Sequence, residues 1–276
     1  MIVVVSDVHL AERPRDEKVE RDDRKFLDFL HHIQDDLLSD GGELVILGDL
    51  IDFWRRDFAL ALMEMEEVVS IVTGFKDDVR VHYVVGNHDY YMLKLKETLG
   101  GDFPFKDVRE QVRLEDGGKK FFFIHGYQLE VLANPYYKSL TAYKCFAENL
   151  CLAGDDTGSA ASDLWDKIQN SKSILEKLQR VPKDLKGAFE SMMVRPDQRL
   201  FGQHKVALTI DNLAKSSSRT IYLGMEKDEY LIFGHTHMPF RDDAHRAANV
   251  GSWKKSPCKD YGYLVIKDGV VDQKVW

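Results

Sequence analysis

Aspartate, asparagine and histidine recur in this chain in short stretches, each of which follows an apolar run. Asp7-x-His9 follows Ile2–Val5, Gly48-Asp49-x-x-Asp52 follows residues 44–47, and Gly86-Asn87-His88-Asp89 follows residues 81–85. His125-Gly126 follows residues 121–124, and Gly234-His235-Thr236-His237 follows residues 231–233. Asn249-x-Gly251-Ser252 and the basic pair Arg55-Arg56 are weaker additions. Carboxylate, carboxamide and imidazole donors without cysteine form a hard-to-borderline set. Such a set suits Mn²⁺, Fe²⁺ or Zn²⁺ in open catalytic coordination and not a closed structural zinc site. One Asp-x-His is a chance event; five such stretches, each after a strand-like run, are not.

The runs before these residues are rich in Val, Ile, Leu and Phe, the composition of strands buried on both faces. A ligand at the end of a buried strand is held rigidly at a sheet edge, where α/β folds place their sites. Between the first runs, apolar residues at helical spacing predict helices over residues 22–38 and 58–75. Gly41-Gly42 and Gly74 stop them. This β-α-β-α-β order implies a parallel sheet with covering helices. The pattern then changes to hairpins, with Asp116-Gly117-Gly118 and Asp268-Gly269 as turns between residues 111–114 and 119–124 and between 263–266 and 270–275. Residues 127–229 carry few strand signals and read as helical over 136–152, 161–180 and 203–215.

The ordered motifs D-x-H, G-D-x-x-D, G-N-H-[DE], a lone His and G-H-x-H resemble those of the calcineurin-like metallophosphoesterases. They cover residues 1–126 and 230–276. The resemblance implies an α/β fold, a four-layer α-β-β-α sandwich of two mixed sheets, with residues 127–229 inserted as a helical cap over the active site. It also implies two divalent metal ions, Mn²⁺ first, with Fe²⁺ or Zn²⁺ as alternatives. One would take Asp7, His9, Asp49 and His237, and the other Asp49, Asn87, His125 and His235, with Asp49 bridging. Hydroxide held between them would attack the phosphorus of a phosphomonoester, phosphodiester or pyrophosphate. His88 would face the leaving group, and Asp52 would hold its imidazole. Asp89 is either an alternative partner for His88 or a brace for the turn. Arg55 and Arg56 emerge near the metals and suit a distal phosphate oxygen, while Trp54 either walls the pocket or packs in the core. Asn249, Gly251 and Ser252 are expected to shape the site without carrying chemistry.

Departures from the motifs narrow the substrate. Ser/Thr protein phosphatases of the superfamily carry Arg after the second Asp of G-D-x-x-D and end G-N-H-E; here Phe53 and Asp89 stand there. The length and the insertion resemble the UDP-2,3-diacylglucosamine pyrophosphatase-like branch, whose classical members carry Arg where His88 stands. A small-molecule or nucleotide phosphoester is therefore the expected substrate. The alternatives are a non-catalytic scaffold of the same fold that binds a protein, or a nuclease of the family. With 46 acidic against 38 basic residues, the net charge is −8, which disfavours generic nucleic-acid binding. The N-terminus has no basic, apolar leader pattern, no run is long enough for a membrane span, and three cysteines without C-x-x-C suit a reduced compartment. A cytoplasmic protein is expected.

Overall fold

The computed structural model describes residues 1–10, 23–39, 41–75, 78–133, 137–153, 210–253 and 261–276. The chain opens with β1 (Ile2–Val5), whose four side chains are all buried. Helix α1 (Asp23–His32) follows and closes in a π-helical turn, Ile33–Leu37. Next come β2 (Gly42–Leu47), α2 (Phe58–Glu64), α3 (Glu66–Thr73) and β3 (Val79–Val84). Helix α4 (Met92–Leu99) leads to β4 (Asp107–Arg109) and to the hairpin β5 (Gln111–Asp116) and β6 (Lys119–Ile124). Helices α5 (Tyr127–Ala133), α6 (Leu140–Cys151), α7 (Ile210–Lys215) and α8 (Arg219–Tyr222) precede the last strands. These are β7 (Tyr230–Phe233), β8 (Phe240–Asp242), β9 (Ala247–Asn249), β10 (Gly262–Lys267) and β11 (Val270–Val275).

The strands form two mixed sheets, ordered β11-β10-β1-β2-β3-β4 and β5-β6-β7-β9-β8. Strands β1, β2 and β3 are mutually parallel, as are β6, β7 and β9. Side-chain alternation shows how the layers stack. Ile2, Val4, Val45 and Leu47 meet Phe121, Phe123, Tyr230 and Ile232 in one cluster between the sheets. Val3, Val5, Leu44 and Ile46 point the other way, toward Phe26, Phe29 and Leu30 of α1. Phe122, Ile124, Leu231 and Phe233 pack against Leu129 of α5 and Leu213 of α7. The result is the four-layer α-β-β-α sandwich that the family resemblance implies. Both hairpin turns have consecutive residues at positive φ, Gly117 and Gly118 in one and Asp268 and Gly269 in the other, the geometry that suits strand twist.

One expected element differs. Residues 58–75 are two helices, not one, because the backbone at Met65 leaves helical geometry at φ −91° and ψ 0°. Met and Glu are good helix formers, so no local propensity marks the break. Asp57 caps α2 with its side chain accepting from the Ala59 and Leu60 amides. Of the helices expected in 127–229, α6 and α7 fall within 136–152 and 203–215, and 161–180 lies outside the described residues. Tyr143, Phe146 and Leu150 of α6 share a cluster with sheet residues, so this segment packs into the sandwich itself.

Candidate metal centre

Parallel strands share a direction, so the carboxyl ends of β1, β2 and β3 lie together at one edge, and those of β6, β7 and β9 at the matching edge of the other sheet. The loops leaving these ends are tied together: the Asp7 amide donates to the Gly48 carbonyl at 3.1 Å, that of His9 to Asp49 at 2.9 Å, and that of Gly234 to His125 at 2.7 Å. Asp7, His9, Asp49, His235 and His237 all adopt left-handed backbone, with φ between 52° and 68°. Asp and His enter this region more readily than most residues, yet at a cost that packing must offset.

The side chains converge. Asp7, His9 and His237 form one group of donor atoms within 4.8 Å of one another, Asp49, His125 and His235 form a second, and His9 belongs also to a third with Asp52 and His88. Asp49 joins them, with Oδ2 at 3.7 Å from His9 Nε2 and 3.1 Å from His125 Nε2. His237 Nε2 lies 3.1 Å from Asp7 Oδ1. Each carboxylate has one oxygen anchored: Asp7 Oδ2 accepts from the His235 amide at 2.9 Å, and Asp49 Oδ1 from the His88 amide at 2.9 Å. The opposite atoms are left over. Asp7 Oδ1, Asn87 Oδ1 and His125 Nε2 are buried with no hydrogen-bond partner among the described residues. Unmatched buried acceptors are expensive.

His125 makes the point sharpest. Its Nδ1 lies 2.9 Å from the Leu47 carbonyl oxygen, which only accepts, so Nδ1 carries the proton. The neutral ring then aims a lone pair from Nε2 at the Asp49 carboxylate. Burial opposes a second proton there, but the charges of Asp49 and Asp7 override burial and push His125 up to about 10. Only a cation can sit between these atoms, whether a proton or a metal ion. Oxygen and imidazole donors of this kind fit divalent cations of the Mn²⁺, Fe²⁺ or Zn²⁺ class.

A sequence model of the calcineurin-like phosphoesterases matches residues 1–239. The chain belongs to that family. Curated protein sequences give no match. Solved structures are similar over nearly the whole chain at low identity. A dimetal phosphatase from Danio rerio is 15% identical, with 99% of this chain and 95% of that one covered and a TM-score of 0.47. Vps29 from Entamoeba histolytica, complexed with Zn²⁺, is 14% identical, with coverages of 99% and 96% and a TM-score of 0.37.

In this member of the family a second constellation sits beside the donors. Asp52 is fully buried. Its Oδ1 lies 2.8 Å from His88 Nδ1 and its Oδ2 3.1 Å from His9 Nδ1. Burial alone would raise the Asp52 pKa, but His88 and His9 hold it well below the usual carboxylate range. Trp54 is buried and stacks on the His88 ring, with centroids 4.2 Å apart. Of the two readings of Trp54, this is core packing that braces His88. Asp89 is not the partner of His88; it accepts from the Leu50 and Gly86 amides and the Tyr83 hydroxyl, and so braces the turn. Burial and the charge of Asp49 push it up to about 6.

The Arg55 amide donates to Asp52 Oδ1 at 3.2 Å, and its Nε lies 3.9 Å from Asp52 Oδ2, while the Arg56 guanidinium pairs with Glu64. Asn249 bridges the Gly234 carbonyl, at 2.7 Å, and the Gly251 amide, at 2.9 Å. Ser252 Oγ and the Trp253 amide both donate to the Asp7 carbonyl. These contacts shape the loops around Asp7 and His235. Away from the centre, His82 lies between Glu43 and Asp107, and His32 and His245 pair with Asp36 and Asp242.

Gly86 and Gly234 leave no room for a side chain beside the donors. A Cβ on Gly86 would lie 2.0 Å from Asp49 Oδ1, and one on Gly234 would lie 2.0 Å from Ser6 Oγ and 2.4 Å from Asp7 Oδ2. Sequence reading missed Glu130. It is buried in the first turn of α5, with Oε2 2.6 Å from His235 Nε2. The available signal was its position five residues after His125, in a stretch to which no element had been assigned.

Proposed function

We propose that the protein is a binuclear metal-dependent phosphoester hydrolase acting on a small molecule or nucleotide. Asp7, His9, Asp49 and His237 would hold one divalent ion, and Asp49, Asn87, His125 and His235 the other. When bound, such ions lower the pKa of water into the neutral range and offset charge on the phosphate oxygens. The protein's own residues would do the rest. His88 Nε2 holds the proton destined for the leaving-group oxygen, while Asp52 fixes the ring through Nδ1 and favours its charged form. Trp54 covers one face of that ring and keeps water from it. Arg55, beside Asp52, would meet an anionic oxygen, and the part of 127–229 that does not pack into the sandwich is proposed to select substrate.

The observation that carries this reading is the pairing of two donor groups through Asp49 with a His88–Asp52 dyad that shares only His9 with them. A metal site alone needs no second imidazole held by its own carboxylate. The test is turnover of bis(p-nitrophenyl) phosphate and p-nitrophenyl phosphate by metal-stripped protein, before and after addition of Mn²⁺, Fe²⁺ or Zn²⁺. Metal-dependent turnover that is lost in Asp49→Ala is expected. A protein that binds two ions and turns over neither substrate, nor a panel of nucleotides and sugar nucleotides, would instead be a scaffold.

A further inference from the structure

We infer that Glu130 is the positioning residue for the second metal ion, acting through His235; this rests on the binuclear reading above. Glu130 Oε2 lies 2.6 Å from His235 Nε2. Glu130 is 4% exposed. Leaving a charge unmatched in such a place is costly, so its surroundings must supply donors. They do: the Tyr137 hydroxyl donates to Oε1 at 2.5 Å and the Tyr143 hydroxyl to Oε2 at 3.2 Å. The carboxylate also sits in the first turn of α5, where the helix dipole favours negative charge.

The consequence for His235 is a fixed tautomer. A carboxylate that already receives two hydroxyl protons accepts a third from the imidazole, so Nε2 carries the hydrogen. Nδ1 is then the nitrogen with a lone pair to offer an ion held with Asp49 and His125. The His235 amide is pinned to Asp7 Oδ2 at the same time, which fixes the backbone from which the ring projects. Carboxylate partners of ligating imidazoles set ring orientation and raise ligand basicity, and their removal costs about 10- to 100-fold in metal affinity. His9 receives the same service from Asp52, and His125 from the Leu47 carbonyl. Glu130 thus completes a pattern in which each of these imidazoles has one nitrogen held from behind.

The pattern also separates the two ions. Glu130 lies 2.6 Å from His235, a donor of the group containing Asp49 and His125. Its loss should weaken one ion and spare the other. The charge matters as much as the contact. In Glu130→Gln the amide oxygen replaces either Oε1 or Oε2, and the amide nitrogen, a donor, then meets either the Tyr137 hydroxyl or the Tyr143 hydroxyl and His235 Nε2.

The experiment is calorimetric titration of metal-stripped protein with Mn²⁺, with bound metal counted by elemental analysis. Wild type should take two ions. Glu130→Gln should keep one at wild-type affinity and bind the other about 10- to 100-fold more weakly. Its circular dichroism spectrum should stay unchanged. Tyr137→Phe and Tyr143→Phe leave the carboxylate in place and should weaken the same ion less. If Glu130→Gln fails to fold, the two Tyr→Phe variants combined decide the matter: wild-type affinity for both ions in that protein overturns the inference. A folded Glu130→Gln with two ions at wild-type affinity also overturns it, and leaves the metal-centre reading standing. A wild type that takes fewer than two ions overturns both.

Discussion

Asp52→Asn is the substitution that probes the site most sharply, because the buried carboxylate serves two imidazoles at once. Its oxygens lie 2.8 Å from His88 Nδ1 and 3.1 Å from His9 Nδ1. Asparagine keeps the shape but has one acceptor oxygen and one donor nitrogen. Arg55 fixes the preference: its amide already donates to Oδ1, so the asparagine oxygen should stay on the His88 side. The amide nitrogen then faces His9 Nδ1 and forces that ring to put its hydrogen on Nε2, toward the metal donors. His88 keeps a contact but loses the charge that stabilises its protonated form. A hydrogen bond to a charged group contributes about 1.5–3 kcal/mol. At about 1.36 kcal/mol per decade, kcat should fall roughly 10- to 150-fold at saturating metal. Metal affinity at His9 should fall about 10- to 100-fold as well. The assay is steady-state turnover of phosphodiesters with aryl and alkyl leaving groups across a Mn²⁺ titration. The deficit should be larger for the alkyl ester, which needs the proton more. Equal kcat loss for both leaving groups at saturating metal would refute the role of Asp52 in holding the His88 proton.

The other outcomes can be checked with the same protein. His88→Ala should lower kcat by about 10²–10⁴-fold while metal content, measured by elemental analysis, stays unchanged. Gly86→Ala should displace Asp49, since its Cβ would fall 2.0 Å from Oδ1, and metal analysis should show loss of bound ion in a chain that still folds. In the metal-free protein His125 is raised from 6.5 to about 10, so its stabilising contribution is complete below pH 6.5 and is lost as pH climbs toward 10. Thermal melting of metal-free protein should therefore drop between pH 7 and 10, and saturating Mn²⁺ should blunt that drop because the ion replaces the proton. The lowered carboxyls of Asp7, Asp49 and Asp52 act in the opposite direction, with stability lost as pH falls below about 4. Replacing residues 154–209 with a short Gly/Ser linker should leave nitrophenyl ester turnover intact and flatten relative kcat/KM across larger substrates.

The parts of the fold that were legible in the sequence are those with a period. Strands β1 and β7 and the last four residues of β2 and β6 are buried, so their apolar runs are continuous and their polar ends stand out, whereas β3 carries Arg80 and His82 within its run. The short strands β4, β8 and β9 span three residues each, too few for any alternation to register. The break at Met65 falls between Glu64 and Glu66, all three good helix formers, so local propensity does not mark it. Among the donors, the motif spacing located Asp7, His9, Asp49, His125, His235 and His237, and the structure brings these together. What spacing could not supply was the third dimension. Asp52 turns out to serve His9 as well as His88, and Glu130 reaches His235 across 105 residues. The left-handed backbone at five of these positions is equally silent in sequence, because it is imposed by the loops that tie one strand end to the next.

The two sheets divide the donors between them. Asp7, His9, Asp49 and Asn87 follow strands of one sheet, and His125, His235 and His237 follow strands of the other. An ion held by both groups is therefore a clasp across the seam of the sandwich as well as a reagent. A ligand at a hundred times its dissociation constant adds about 2.7 kcal/mol to folding stability, a large fraction of what a domain typically has. Selection for staying folded would then preserve the donor set even in a descendant that no longer turned over any substrate. Chelation should loosen the seam at the site end first, visible as faster amide exchange in the loops after β1 and β7. Retained donors would by themselves certify only the clasp, and turnover is what distinguishes a working hydrolase from a metal-fastened scaffold.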